Sequence, residues 1–233
     1  VFGDSALITY LAGANLAMAS RHSNEGDDDI ITLLDGNNIV IGGSGKDTIR
    51  INVEEDPTNL GSYIPTTFSS TDIVLGDNGQ ISWNSDQALT SVNSTDTSVG
   101  GDDEITLGNG SKTVIGGIGE DTVITGTSGI HRVIGDNGAI TYDAGALRSM
   151  SSNAHMDAGE DTITLSGDVN QIIGGSVGDI INVTTLTSTD HVLGDNGTMT
   201  YTGVKGSEQL TNMQSELGEA GGDDIITLGS GDK

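Results

Sequence analysis

The chain has 233 residues, with 34 acidic against 8 basic side chains and a formal charge of −26. That balance excludes nucleic acid, whose phosphates need a basic surface, and disfavours an anionic membrane. Thirty-six glycines, 3% aromatic residues and two prolines do not suit a conventional globular core, and the lack of cysteine removes disulfides. Such a composition can mean disorder, but regular Ile, Val and Leu clusters stand between the glycines here. No run of about 18 apolar residues is present.

In chain order, residues 1–10 align with 74–83, 133–142 and 192–201. The last three copies contain G-D-N-G at 76–79, 135–138 and 194–197, twice 59 residues apart, while the first copy reads Gly3-Asp4-Ser5-Ala6. A fixed period of this size marks a repeat architecture. A second string opens each unit, at 26–30, 101–105, 159–163 and 222–226. The units are therefore 1–25 (the end of a preceding repeat plus linker), 26–100, 101–158, 159–221 and 222–233. An insertion near 54–70 lengthens the first full unit. The chain starts and stops inside a unit, as expected for an excerpt of a longer array. No signal peptide opens it, and a beginning inside a repeat makes that uninformative.

From Gly101 the unit advances in strides of nine or ten residues, each a short aliphatic or β-branched segment bounded by Gly, Asn or Asp. That is the signal of strands and turns, without helical periodicity. The expected fold is all-β: a parallel β-solenoid, or β-roll, of about 59-residue units. Five strands leave the chain on the wrong edge to begin the next unit, so a sixth must return. Segments 89–92, 147–150 and 210–213 supply it, as a hairpin-like excursion or a looser coil.

Residues 42–49 and 116–123 match G-G-x-G-x-D-x-U in full. This resembles the haemolysin-type calcium-binding nonapeptide repeat of RTX proteins. In diluted form the resemblance covers nearly the whole chain. Residues 174–181 depart from it, with Val177 at the third glycine position, which bears on turn geometry and calcium occupancy at Asp179. The resemblance implies that Ca²⁺ is shared between stacked turns, through carboxylates and the carbonyls that glycine turns expose. Alternate turns share an edge, so the metal ligands fall on one side: Asp28, Asp47 and Asp77; Asp103, Asp121 and Asp136; Asp161, Asp179 and Asp195; then Asp224. The opposite turns, such as 108–110 and 125–129, hold almost no carboxylate.

Other chemistry finds less support. His22, His131, His155 and His191 share no repeat position with Cys or Glu partners, no G-x-S-x-G elbow occurs, and no Lys follows the glycine turns in P-loop spacing. Tyr10, Trp83, Tyr142 and Tyr201 hold one repeat position and read as packing anchors. Ile41, Leu75, Ile115, Ile134, Ile173 and Leu193 form an apolar stripe on the outward face of one sheet. Either the returning segments cover it or another chain does, which would be self-association through that face. The resemblance implies a non-enzymatic, calcium-stabilised structural segment of a large secreted bacterial surface, adhesin or filament protein, outside the cell and not inserted in a membrane. The alternatives are a parallel β-helix carbohydrate-active enzyme (lyase or epimerase) and a glycan- or ice-binding face.

Overall fold

A computed structural model describes residues 1–11, 14–21, 24–153, 158–216 and 221–233. All regular structure among them is strand. One unit shows the path. Glu104–Leu107 lies in a first sheet, Lys112–Gly117 in a second, Thr122–Thr125 in the first again and Ile130–Asp136 in the second. Gly138–Asp143 and Ala146–Ser152 then form an antiparallel hairpin in a third sheet.

Repetition of this path builds a seven-stranded and a six-stranded parallel sheet, in each of which strands stack in sequence order. The strand pairs 6–11 with 14–20, 79–83 with 89–94, 138–143 with 146–152 and 197–202 with 209–215 join edge to edge as one eight-stranded antiparallel sheet. No unit skips a place in any sheet.

Alternation along the strands decides which side chains are buried. Ile49, Ile105, Val123, Ile163 and Ile181 share one register row of the first sheet. They pack against Val74, Val114, Val133, Ile172 and Val192 of the second. Glycine turns close each stride because the backbone there takes positive φ, as at Gly43, Gly45, Gly117 and Gly119.

The second sheet is apolar on its other face as well. Ile41, Leu75, Ile115, Ile134 and Ile173 are fully buried or nearly so, and Leu193 partly. Their cover is the chain's own hairpin sheet, through Ile81, Val92, Ile140, Leu147, Met150 and Met199. The returning segments are thus the second strands of hairpins. The stripe is closed from within, and the sequence's case for self-association through that face goes with it. The insertion forms a small hairpin, Val53–Glu55 with Tyr63–Pro65, on whose Tyr63 ring the Arg50 guanidinium stacks at 4.1 Å.

Leu147 is fully buried between the second and third sheets. Leu147→Ala should cost about 2–5 kcal/mol by the cavity it leaves. Met213→Ala, at a position 44% exposed, should cost much less. Urea denaturation of both variants checks the ordering.

Candidate metal centre

The segments that bring the chain into the first sheet, alternately from the second sheet and from a hairpin, enter on one edge, and each ends on an aspartate. These aspartates form a single line. Asp47 Oδ1 accepts the Asp29 N–H at 2.8 Å, Asp103 Oδ1 the Asp47 N–H at 2.7 Å, and Asp121 Oδ1 the Asp103 N–H at 2.8 Å. Asp161, Asp179 and Asp224 continue it at 2.8, 2.9 and 3.0 Å. Each carboxylate thereby ties its own rung to the one before.

The second oxygen of these side chains is left over. Oδ2 of Asp47, Asp103, Asp121, Asp161 and Asp179 is buried with no hydrogen-bond donor. Each faces a glycine, of its own turn at Asp47, Asp121 and Asp179 and of a G-D-N-G turn at Asp103 and Asp161. A Cβ on Gly116 would lie 2.4 Å from Asp121 Oδ2 and 2.1 Å from the Gly135 carbonyl oxygen. On Gly135 it would lie 2.1 Å from Asp161 Oδ2 and 2.6 Å from the Gly174 carbonyl oxygen. Glycine is therefore required, and carboxylate and carbonyl oxygens converge beside it.

The G-D-N-G aspartates belong to a second line with a different task. Asp77 Oδ2 accepts the Ile118 N–H at 2.6 Å, and its Oδ1 accepts the Gly101 N–H at 3.0 Å. Asp136 Oδ2 reaches the Ser176 N–H and Asp195 Oδ1 the Gly222 N–H. Asp4, in the degenerate first copy, holds the Ser44 N–H at 2.7 Å. The G-D-N-G aspartate of one unit thus clamps a glycine turn of the next. Asn78 and Asn196 support this through Nδ2 bonds to Ser44 Oγ and Ser176 Oγ, while their buried Oδ1 atoms lack a donor, as does Asp136 Oδ1.

The sequence expectation needs two corrections. Asp28 is exposed and off the line; Asp29 holds its place, because an extra residue before Ile31-Thr32-Leu33 shifts the register by one. The opposite edge is not free of carboxylate either. One register row near the start of five of the six strands of the second sheet reads Asp72, Lys112, His131, Asn170 and Asp190. This row is internally matched. Lys112 Nζ, fully buried, donates to Asp72 Oδ2 at 2.7 Å and to the Asn109 carbonyl at 2.7 Å. Lys233 Nζ donates to Asp190 Oδ2, and Asn170 Nδ2 to Asp190 Oδ1 at 2.8 Å.

His131 Nε2 lies 3.1 Å from the Gly110 carbonyl, which can only accept. The ring proton is therefore on Nε2, and Nδ1 accepts from the Thr125 hydroxyl at 2.7 Å. Burial lowers the His131 pKa to about 4, so this ring is neutral near pH 7 and already bonded at both nitrogens. His22 and His155 lie outside the described residues.

The two edges thus differ in kind. The opposite edge pairs its carboxylates with buried or partly buried lysines; along the aspartate line five Oδ2 atoms are buried without a donor, and Lys46, beside Asp103, acts on that line only through its charge. Burial first, and then neighbouring carboxylates, raise these groups: Asp103 and Asp179 to about 8, and Asp121 and Asp161 well above the ordinary value. Burial also raises Asp47 to about 7, Asp136 to about 7 and Asp77 to about 9. Such a line requires protons or a cation for neutrality. Oxygen-only donors and exposed carbonyls fit a hard divalent cation such as Ca²⁺. Among the described residues no three His, Cys, Asp or Glu side chains converge on one point. The oxygens an ion would meet there are the Oδ2 atoms and the backbone carbonyls of the glycine turns.

No family model matches the chain, and no curated protein matches it.

Without divalent cations, the folded pKa values lie above the unfolded value of 3.8. The carboxyls then contribute stability fully below about 3.8 and lose it as pH rises through about 7 to 9. In chelator, the melting temperature should fall steadily from pH 4 to pH 9; scanning calorimetry checks this. A separate strain sits at Val177, whose φ is 72° although its side chain is β-branched. Val177→Gly should add about 1 kcal/mol of stability by relieving it, read as a rise in the urea midpoint.

Proposed function

We propose that this chain is a calcium-stabilised structural repeat segment. Its alternating path between two parallel sheets is that of a β-solenoid of the β-roll kind, backed by a third sheet of hairpins. The observation that carries the reading is the aspartate edge: a continuous line of buried carboxylate oxygens without hydrogen-bond donors, in a chain of net charge −26. Bound cations there would join successive rungs and offset the self-repulsion of the compact state. Asp47, Asp103, Asp121, Asp161, Asp179 and Asp224 would hold them, with the glycine carbonyls of the adjoining turns, while Asp77, Asp136 and Asp195 hold the turns in place.

The segment acts as a stiff spacer rather than a catalyst, in keeping with the resemblance to secreted RTX adhesins and surface or filament proteins outside the bacterial cell. Supporting this, the histidines within the described residues are engaged in packing or hydrogen bonds. No helix among the described residues is long and apolar enough to cross a membrane.

At calcium concentrations of about ten times the dissociation constant, each site adds about 1.4 kcal/mol. Millimolar calcium should therefore raise the melting temperature well above its value in chelator. Asp121→Asn separates the cation from a purely structural role. It keeps the acceptor for the Asp103 N–H, supplies a donor toward the Gly135 carbonyl and removes the charge. The variant should be more stable than the parent in chelator and gain less from calcium. An equal calcium response in both proteins would count against the reading.

A further inference from the structure

On the edge away from the aspartate line, the turns of the hairpins overhang the first residues of the second sheet. The groove between them has a volume of about 500 Å³, within the range of small-ligand sites. Its floor comes from the second sheet, with Ile73, Thr113 and Arg132 side by side in one register row. Its wall comes from the hairpins, with Trp83 and Tyr142. Lys205 closes it from the last hairpin, extending over the 144–145 turn, where a Cβ on Gly145 would lie 3.9 Å from Nζ.

The charge of this groove runs against that of the chain. Two of only eight basic side chains line it and no acidic one does, although acids outnumber bases 34 to 8. Arg132 forms no ion pair within the described residues. Its Nε is buried without an acceptor, and its guanidinium carbon stands 5.9 Å from the Tyr142 ring centroid. The acids nearest by are engaged elsewhere. Asp143 pairs with Arg148 at 3.2 Å, and Glu208 accepts the backbone N–H groups of Leu147 and Gly206. In the same row Tyr201 Oη meets His191 Nδ1 at 3.4 Å and Tyr142 Oη meets Thr113 Oγ1 at 3.2 Å, so the aromatic hydroxyls are satisfied. Arg132 makes no hydrogen bond within the described residues.

We propose that this groove binds an acidic saccharide residue of the uronic-acid type. A planar guanidinium with a free donor matches a carboxylate. The indole and phenol faces offer apolar area to the C–H face of a sugar ring. On the rim the exposed amide of Asn37 can meet a ring hydroxyl, while the Thr113 hydroxyl on the floor is held by Tyr142 Oη at 3.2 Å. A neutral sugar leaves Arg132 unpaired, and a bare inorganic anion leaves the aromatic wall unused.

The test is calorimetric titration of the full chain, in a calcium concentration that keeps it folded, with three probes. These are a galacturonate trisaccharide, the corresponding neutral galactose trisaccharide and inorganic phosphate. The acidic trisaccharide should bind and the other two should not. Arg132→Gln should weaken it about tenfold or more, the loss expected for a charge-assisted bond. Lys205→Gln, at an exposed turn, should weaken it less, with an unchanged melting temperature. The proposal is overturned by absence of binding, by equal binding of the neutral sugar or of phosphate, or by undiminished affinity in a folded Arg132→Gln protein. None of these outcomes bears on calcium at the opposite edge.

Discussion

The structure depends on how it tolerates a row of carboxylates stacked one per strand. Adjacent strands lie about 4.8 Å apart, and unit charges at that distance repel by roughly 3.5 kcal/mol at an effective dielectric constant of about 20. The Asp47 to Asp224 line repeats that arrangement along its length, mostly out of contact with water. Hydrogen bonds from the preceding rung satisfy one oxygen of each carboxylate, and the other oxygen is left requiring a positive partner. Stability is therefore tied to whatever neutralises that line, and the rest of the fold serves to keep it in register.

Register is held from both sides. The G-D-N-G aspartates bind the glycine turns of the following unit, so two motifs far apart in sequence are parts of one clamp. On the far edge, Lys112 with Asp72 and Lys233 with Asp190 satisfy their row internally. A buried ion pair contributes little net stability but strongly penalises a slip that would separate its members. One edge is thus self-sufficient and the other is not. That asymmetry confines the unneutralised charge to one side of the stack.

The hairpin sheet gives the molecule its third layer and removes a hazard. A parallel sheet with apolar residues on both faces must be covered on both. Covering it with hairpins from the same units lets every added unit bring its own cover. The same hairpins create the cationic groove at their turns, where the cover overhangs the sheet edge.

The sequence by itself determined the period, the strands and the edge on which the aspartates gather. Each is a local property, written in glycine spacing and in alternation along a few residues. It also carried the row Asp72, Lys112, His131, Asn170, Asp190 in plain form, since each stands four residues before a turn glycine. That row was not read as a unit because its members differ in charge and only their adjacency makes them complementary. Tertiary structure alone decided that Asp29 rather than Asp28 joins the line, since pairing of Ile31 with Ile49 sets the register. It decided that the apolar stripe is covered from within. It also brought Arg132, Trp83, Tyr142 and Lys205 to one groove. Those outcomes depend on which strands lie beside one another in space, and a short stretch of sequence read alone does not fix that.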